Sequence, residues 1–334
     1  MSAISPPSSP QSPLGAGDDV QARIPAIALG LSRVGVTGVE KVIRIREELF
    51  LARLDCYVDL SHLQKGAHMS RFEEVVNDAI GEVIVGGSGF RAEQLAQRVA
   101  ELVRVRQGAR RAEVTIAARY PEHRPAPLSG INTQEIYTLF GVAVASERGT
   151  RRLVGVAAQG ITACPCAQEL VADHARRQLD EDGFSAYEIE RILGIVPVAT
   201  HNQRGLGTLH VGVTEAEPLE IEAATLLRIV EGSMSSEIYE LMKRSDEAAV
   251  VMRAHARPRF VEDCVREMIS GVLTELPQLP QDAFVSARQE NLETIHQHNV
   301  LAEREGTIGE LRAELELALE PVGRTTTLRD WLDA

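Results

Sequence analysis

The sequence predicts an α+β fold built from two tandem ββααββ units, each an antiparallel sheet with its helices on one face. Extended segments with alternating or β-branched residues occur in pairs, and amphipathic helical segments lie between the pairs. The same order of elements occurs twice in 334 residues, a length sufficient for two ordinary domains. We place the first unit at residues 25–150 and the second at 151–320.

The first unit contains six predicted elements. Its strands alternate apolar and polar residues or are rich in β-branched residues, and its two helices each carry one apolar face at helical spacing. A loop rich in Pro, Gly and Ser separates the last two strands. In chain order the elements are strands 40–45 and 51–60, helices 72–85 and 91–107, and strands 113–120 and 136–146.

The second unit repeats this order with less regular spacing. It opens with strands 152–162 and 207–214, becomes helical over 221–275, and ends with a strand at 283–289. We expect Pro258 to start the clearest helix of this region, because proline is tolerated in a first helical turn.

An insertion divides the second unit. Residues 167–200 separate Cys166 from His201, and two helical patterns occupy 168–182 and 186–193. Because the entropy of closing a loop grows only logarithmically with its length, a helical hairpin here can still bring its two ends together. We expect the insertion to shape a site entrance or to pack on a neighbouring subunit.

Composition and charge exclude several classes of protein. A formal net charge of −13 argues against a nucleic-acid surface, which needs clustered positive charge. No apolar stretch approaches the roughly 20 residues needed to span a bilayer.

Residues 1–24 are rich in Ser and Pro, lack the pattern of a signal peptide and predict a disordered tail. Four cysteines are too few for a disulfide framework, so we expect a cytoplasmic protein with free thiols.

Two thiols and three histidines are candidate metal ligands. Cys164 and Cys166 form a C-x-C motif, His201 lies beside an amide and a guanidinium, and His296 and His298 form a His-x-His pair. Such soft and borderline ligands suit a catalytic first-row metal. The C-x-C spacing does not fit a thioredoxin-like redox pair, and no second cysteine pair completes a structural zinc site. The role of Cys166 stays open, as a neighbour of the site or as a partner of Cys164 on oxidation.

Five basic residues lie in or beside the motif segments. Locally clustered cations can hold a phosphate-bearing ligand even on an acidic protein, although any one of them is also an ordinary surface cation. They are Lys65, Arg71, Arg204, Lys243 and Arg244.

Seven short blocks occur in a fixed order along the chain. They span residues 59–72, 162–168, 201–204, 235–239, 243–247, 258–263 and 290–298. Together they resemble the type IB GTP cyclohydrolases, over about residues 25–310. The resemblance implies a tunnelling fold, assembly into homo-oligomeric barrels as a dimer or tetramer, and active sites at subunit interfaces.

The reaction of that family opens the imidazole ring of GTP at C8 and releases formate. It yields a 7,8-dihydroneopterin phosphate, the first step of folate or pterin biosynthesis, and it needs a Lewis acid and a proton carrier. By resemblance, Cys164 is a catalytic thiolate and metal ligand, His201 and Glu247 are further ligands, and His296 completes the set. His298 is the alternative ligand and a candidate catalytic group.

One substrate-binding residue follows from the resemblance, and two are taken from the local cations named above. Glu262 corresponds to the carboxylate that accepts two N–H donors from the guanine edge, while Lys65 and Arg204 are candidate phosphate contacts. The alternative for Glu262 is an ordinary first-turn glutamate favoured by the helix dipole. Glu247 has the same alternative, because Ser245 before it is a credible N-cap.

The insertion distinguishes this chain from the common bacterial pattern, in which the thiol block and the His-Asn-Gln-Arg block lie much closer together. With this insertion the chain resembles the archaeal MptA branch. The resemblance implies Fe(II) as the metal, with Zn(II) or Mn(II) as alternatives. It also implies a 2′,3′-cyclic phosphate product rather than a triphosphate. The alternative function is a non-catalytic, metal-containing tunnelling-fold protein that binds a purine or pterin. Such a protein would hold its metal in closed coordination.

Overall fold

The strands form one continuous antiparallel sheet. The computed structural model describes residues 19–45, 48–86, 91–217, 221–317 and 325–334. Eight strands follow the order β1-β2-β3-β4-β5-β6-β8-β9, and the two-residue β7 pairs with β5. The predicted α+β class is confirmed, and the two expected sheets are joined because β4 and β5 pair from Ser146–Gly149 to Thr138–Ala157.

The strand bounds are β1 Leu31–Ile45, β2 Glu48–Leu60, β3 Arg111–Pro125, β4 Asn132–Ser146, β5 Gly149–Ala163, β6 Asn202–Thr214, β7 Ser236–Glu237, β8 Phe284–Leu292 and β9 Val300–Thr307. The helix bounds are α1 Met69–Gly86, α2 Ala92–Gln107, α3 Pro165–Glu181, α4 Ala186–Ile195, α5 Ala223–Ser233, α6 Arg244–Ala256, α7 Val261–Glu275, α8 Ile308–Leu317 and α9 Leu328–Asp333. Of the predicted disordered tail, residues 1–18 lie outside the described residues.

All six predicted elements of the first unit are present, but β1 begins at Leu31 rather than at residue 40. Its pairing with β2 is irregular between Leu31 and Val34 and again between Val36 and Val39. Gly38 lies at the second irregularity with a φ of 67° and donates its N–H to Asp55 Oδ1 at 2.7 Å. Such bulges interrupt the alternation of side chains, which is why the pattern does not extend over the whole strand.

The helical run predicted over 221–275 is wrong in two respects. It divides into α5, α6 and α7, and β7 interrupts it. Pro258 lies before the first turn of α7, because the Arg259 N–H donates to the Ala163 carbonyl at 2.9 Å and holds this stretch beside β5. The helix begins only after Phe260, whose N–H donates to Asp263 Oδ2 at 3.0 Å.

The sheet continues beyond the last predicted strand, at 283–289. β8 extends to Leu292, and β9 follows as an edge strand with the sequence Val-Leu-Ala-Glu-Arg-Glu-Gly-Thr. Its charged residues fall on both faces and only one of its residues is buried, so the apolar alternation that predicts a strand is missing.

Helices cover one face of the sheet and enclose two apolar clusters. One cluster centres on Leu54 and Phe72 of the first unit, the other on Leu226 and Met268 of the second. Tyr137 of β4 belongs to the second cluster, so the strand that ends the first unit also packs against the second. Within the described residues, no helix has the length and apolar character required to cross a membrane.

The opposite face of the sheet is contacted by α9. Trp331 packs against Phe284 and Leu153, whose neighbours Val285 and Val154 face the helices on the other side. The Trp331 indole N–H donates to the Asp282 carbonyl at 2.8 Å. We call the face that carries α1, α2, α5 and α7 the helical face, and the other the open face.

The inserted residues form the predicted helical hairpin, α3 and α4. Pro165 occupies the first turn of α3, where a missing N–H costs nothing. Ser185 and Glu188 form a reciprocal capping box at the start of α4. The hairpin therefore begins and ends beside the last residues of β5 and the first residues of β6.

Because neighbouring strands are antiparallel, every strand end lies on one of two opposite sides of the sheet. We call these two rows of strand ends the upper edge and the lower edge. The upper edge holds Ala163, Asn202 and Leu292, at the end of β5, the start of β6 and the end of β8. The lower edge holds Leu60, at the end of β2, and Phe284, at the start of β8. The candidate residues are distributed between these two edges.

Candidate functional site

Cys164 and His201 meet at the upper edge. Ala163 and Asn202 are the last paired residues of β5 and β6, and the Cys164 N–H donates to the His201 carbonyl at 3.1 Å. Residues directly opposite each other on antiparallel strands have neighbouring side chains. The fold thus brings together two predicted ligands that lie on either side of the insertion.

A hydrogen-bond chain selects the tautomer of His201. Gln203 Nε2 donates to Thr162 Oγ1 at 3.0 Å, so its carbonyl Oε1 faces His201 Nδ1, 3.1 Å away. Nδ1 therefore carries the proton, and the lone pair of Nε2 is left for a ligand. Thr162 and Gln203 are both buried, which restricts the rotation of the imidazole.

Cys164 occupies the junction between β5 and α3. Its carbonyl accepts hydrogen bonds from Thr200 Oγ1 at 2.8 Å and from the Gln168 N–H at 3.3 Å. Its thiol is free and partly exposed, at the positive end of the α3 dipole. A ligand entering from the upper edge can reach this sulfur.

Glu293 is a site residue that the sequence reasoning missed. Its carboxylate Oε2 lies 3.9 Å from His201 Nδ1, and its side chain is only 6% exposed. It directly follows β8, and the alternation of buried Gln289 and Asn291 continues to it. That alternation is the sequence signal for Glu293, but its approach to His201 depends on the pairing of β6 with β8.

His296 and His298 lie in the loop that joins β8 to β9. Both are exposed, and their rings stack with centroids 5.2 Å apart. Thr294 Oγ1 donates to the Asn202 carbonyl at 3.1 Å, which ties this loop to the start of β6. The His-x-His pair therefore belongs to the same edge as Cys164 and His201.

Glu247 and Glu262 are exposed residues in the first turns of α6 and α7. Arg204 is exposed on β6, and alternation along the strand turns it to the face opposite Gln203.

The donor chemistry of the site fits a metal in part. A thiol beside an imidazole with a free Nε2 provides two donor types that first-row metals bind. Over the ranges that the structure describes, no group of three or more His, Cys, Asp or Glu residues is arranged to hold a metal ion. Cys164 and His201 are brought together, but Glu247 and His296 do not form a metal-binding group with them in this structure.

Lys65 lies at the lower edge, in the loop that follows β2. The fifteen residues of β5 lie between the lower edge and Cys164, a separation of about 50 Å at the usual rise per residue of a strand. This exceeds the length of a nucleoside triphosphate. Lys65 and Cys164 of the same chain therefore cannot bind one substrate.

Comparison with known proteins shows the family through a family model and through sequence relatives. A uricase from Arthrobacter globiformis aligns with 84% of this chain and 94% of its own, at a TM-score of 0.49 and 8% identity. The GTP cyclohydrolase MptA of Methanococcus vannielii is 42% identical over 310 residues, 90% of this chain and 99% of that protein. The protein of the same name from Methanosarcina acetivorans is 40% identical, covering 89% and 96%. The family model described as type I GTP cyclohydrolase folE2 matches residues 18–302, and the chain belongs to this family.

Proposed function

We propose that this protein hydrolyses the imidazole ring of GTP at C8, releases formate and forms a 7,8-dihydroneopterin phosphate. The observation that carries the proposal is the backbone pairing of Cys164 with His201, whose Nδ1 lies against Gln203 Oε1 and whose Nε2 is left for a ligand. Family membership and 40–42% identity to proteins named GTP cyclohydrolase support it.

We propose that Cys164 and His201 provide the first two ligands of a divalent metal, and that Glu247 and His296 complete the set. Fe(II) is the proposed metal, with Zn(II) and Mn(II) as alternatives. When bound, the metal supplies a Lewis acid for the attack of water on C8. The Gln203–Thr162 chain supports this assignment, because it keeps the proton on the other nitrogen of His201.

The remaining residues have proposed roles in orientation and proton transfer. Glu262 accepts two N–H donors of the guanine, a pattern that suits a carboxylate. His298 carries the proton to the ring nitrogen, since an imidazole side chain can act as a general acid or base. Glu293, 3.9 Å from His201 Nδ1, holds that imidazole in its orientation. Arg204 is a proposed phosphate contact.

We propose a homo-oligomer with shared sites. If Lys65 contacts the phosphates, it must come from a second copy, because about 50 Å separates it from Cys164 within one chain. An overall charge of −13 makes such local cations necessary for holding a polyphosphate.

The proposed product is the 2′,3′-cyclic phosphate, as the resemblance to the MptA branch implies. The insertion that carries this resemblance is the α3–α4 hairpin between Cys164 and His201. The triphosphate is the alternative product, and the two differ in the mass of the phosphate chain.

Anaerobic incubation of the metal-free protein with GTP and Fe(II), Mn(II) or Zn(II), followed by mass spectrometry, tests the proposal. We expect formate and a dihydroneopterin phosphate with at least one metal. Binding of GTP without ring opening by any of the three metals would instead favour a non-catalytic purine-binding protein.

A further inference from the structure

The segment from Met234 to Lys243, which joins α5 to α6, contacts the upper edge at its amino end. The Ser235 N–H donates to the Ile161 carbonyl at 2.9 Å, and Ser235 Oγ accepts from the Ala163 N–H at 3.1 Å. The next two residues form β7 and pair with β5. Because Ala163 directly precedes Cys164, this segment contacts the strand end that carries the candidate site. We call it the 234–243 segment.

The carboxyl end of the 234–243 segment is held by the first unit. Asp246, fully buried in α6, accepts the Lys243 N–H at 2.8 Å. The same carboxylate accepts the Leu128 N–H at 2.8 Å, the Ser129 N–H at 2.8 Å and the Ser129 hydroxyl at 2.6 Å. These bonds fix the start of α6, the turn that carries Glu247, to the loop between β3 and β4.

Arg124 of β3 holds the middle of the 234–243 segment. Its Nη2 donates to the Ile238 carbonyl at 2.6 Å, and its Nη1 donates to both carboxylate oxygens of Glu231 at 2.8 Å. The guanidinium carbon lies 4.5 Å from the centre of the Tyr239 ring. Tyr137 of β4 donates its hydroxyl to Glu231 Oε1 at 2.8 Å. Side chains of the first unit thus reach the segment directly and through α5.

The geometry of Arg124 is unusual for a simple ion pair. A guanidinium normally meets a carboxylate with two nitrogens in parallel, which satisfies both partners. Here a single nitrogen serves Glu231, and Nη2 is directed to the Ile238 carbonyl instead. Among the described residues, Arg124 Nε is one of two buried side-chain nitrogen or oxygen atoms without a hydrogen-bond partner. The arrangement leaves one donor unsatisfied while a backbone carbonyl of the segment is held.

Glu135 of β4 provides a second contact. Its Oε1 accepts the Glu240 N–H at 2.9 Å and the Thr133 hydroxyl at 3.1 Å. Glu135 and Thr133 are both buried. Successive parts of the segment are therefore bound to neighbouring residues at the upper ends of β3 and β4.

We propose that Arg124 is a positioning residue for the GTP cyclohydrolase reaction. Through the Ile238 carbonyl it holds the 234–243 segment, and through that segment it sets the relative positions of Cys164 and Glu247. The inference rests on the proposed function for its kinetic consequence. It makes the first unit part of the catalytic apparatus of the second, with Arg124 acting through the Ile238 carbonyl.

Arg124→Lys is the decisive variant. A lysine can keep the charge pair with Glu231, but its single ammonium group does not reproduce the fork that also holds the Ile238 carbonyl. We expect kcat to fall on the order of 10- to 100-fold, because small displacements of reacting groups have effects of that size. The KM for GTP should change much less, since the guanine and phosphate contacts are elsewhere.

Tyr137→Phe is the matched control. It removes one hydrogen bond from Glu231 and leaves the bond between Arg124 and the Ile238 carbonyl intact. We expect a lower melting temperature and a kcat within about twofold of wild type, because the segment is still held.

A second pair of variants tests the contact made by Glu135. Glu135→Gln retains the Oε1 acceptor and should keep its activity, whereas Glu135→Leu removes this acceptor and should lose activity.

The experiment measures kcat, KM and melting temperature, together with hydrogen–deuterium exchange of the amides of residues 235–244. Assays are run at a temperature at which every variant is folded by circular dichroism. The inference is supported if Arg124→Lys lowers kcat and accelerates exchange in this segment while Tyr137→Phe does neither. It is overturned if kcat simply follows melting temperature in both variants, or if exchange in the segment is the same in Arg124→Lys and wild type. An inactive wild-type protein would contradict the proposed function, and the exchange measurement would still decide whether Arg124 holds the segment.

Discussion

His210 should make the stability of the fold fall steeply between neutral and mildly acidic pH. It lies on the open face of β6, with its ring across Gly155 of β5 and against Phe140 of β4, the ring centroids being 5.2 Å apart. A Cβ atom on Gly155 would lie 2.2 Å from Cδ2 of His210, so the glycine is required for this arrangement. Burial lowers the pKa of His210 to about 4.

The direction of the effect follows from proton binding. An unfolded histidine has a pKa of about 6.5, so as the pH falls the unfolded chain binds a proton that the folded chain does not. The contribution to stability is complete above pH 6.5, decreases as the pH falls, and stops decreasing once the pH is below about 4. From these two pKa values we expect the folded state to lose about 2 kcal/mol by pH 5 and about 3 kcal/mol in all.

Urea unfolding of wild type and His210→Gln at pH 7 and pH 5 measures this difference. Carboxylates affect both proteins alike, so wild type should lose about 2 kcal/mol more than the variant between the two pH values. His174→Gln, on the exposed face of α3, is the control and should keep the wild-type pH dependence. Equal pH dependence of wild type and His210→Gln would refute the reasoning, as would direct titration of the His210 ring near its unfolded value.

Further variants test the site and the packing of α9. Gln203→Leu removes the acceptor of His201 Nδ1 and should raise the dissociation constant of the metal roughly 10- to 100-fold in a chelator competition assay; unchanged affinity would contradict the tautomer assignment. Glu262→Gln should raise the KM for GTP more than it lowers kcat in steady-state kinetics. An unaltered KM would contradict the assignment of Glu262 to guanine binding. Trp331→Ala should lower the free energy of unfolding by about 3–5 kcal/mol, because the side chain is only 2% exposed. Urea unfolding followed by circular dichroism measures this difference, and equal free energies of unfolding for the two proteins would contradict the packing of Trp331 against the sheet.

Much of the fold could be predicted because its periodicity is regular. The helix 72–85 and the strand 113–120 fall inside the observed α1 and β3, and the helix 91–107 matches α2 to within one residue. Prediction failed where tertiary contacts override local pattern. The irregular pairing near Gly38 interrupts the alternation that would predict the first part of β1. The bond from the Arg259 N–H to the Ala163 carbonyl holds residues 258–259 outside α7, so the helix begins later than predicted.

The candidate site was predictable as a set of residue types but not as an arrangement. Nothing in the sequence states that Cys164 and His201 are opposite each other, because that follows from the pairing of Ala163 with Asn202 across the inserted hairpin. Glu293 was missed because it approaches His201 only through the pairing of β6 with β8. Lys65 was grouped with the site as a basic residue in a motif segment, and only the strand directions assign it to the other edge.

Formate release by Cys164→Ala and Cys166→Ala, measured side by side with GTP and Fe(II) without oxygen, tests the central claim most directly. Cys164 faces His201 across the strand ends, whereas Cys166 is an exposed residue in the first turn of α3. We predict that the first variant releases no formate above the protein-free reaction and that the second retains activity close to wild type. Full activity in Cys164→Ala would contradict the account.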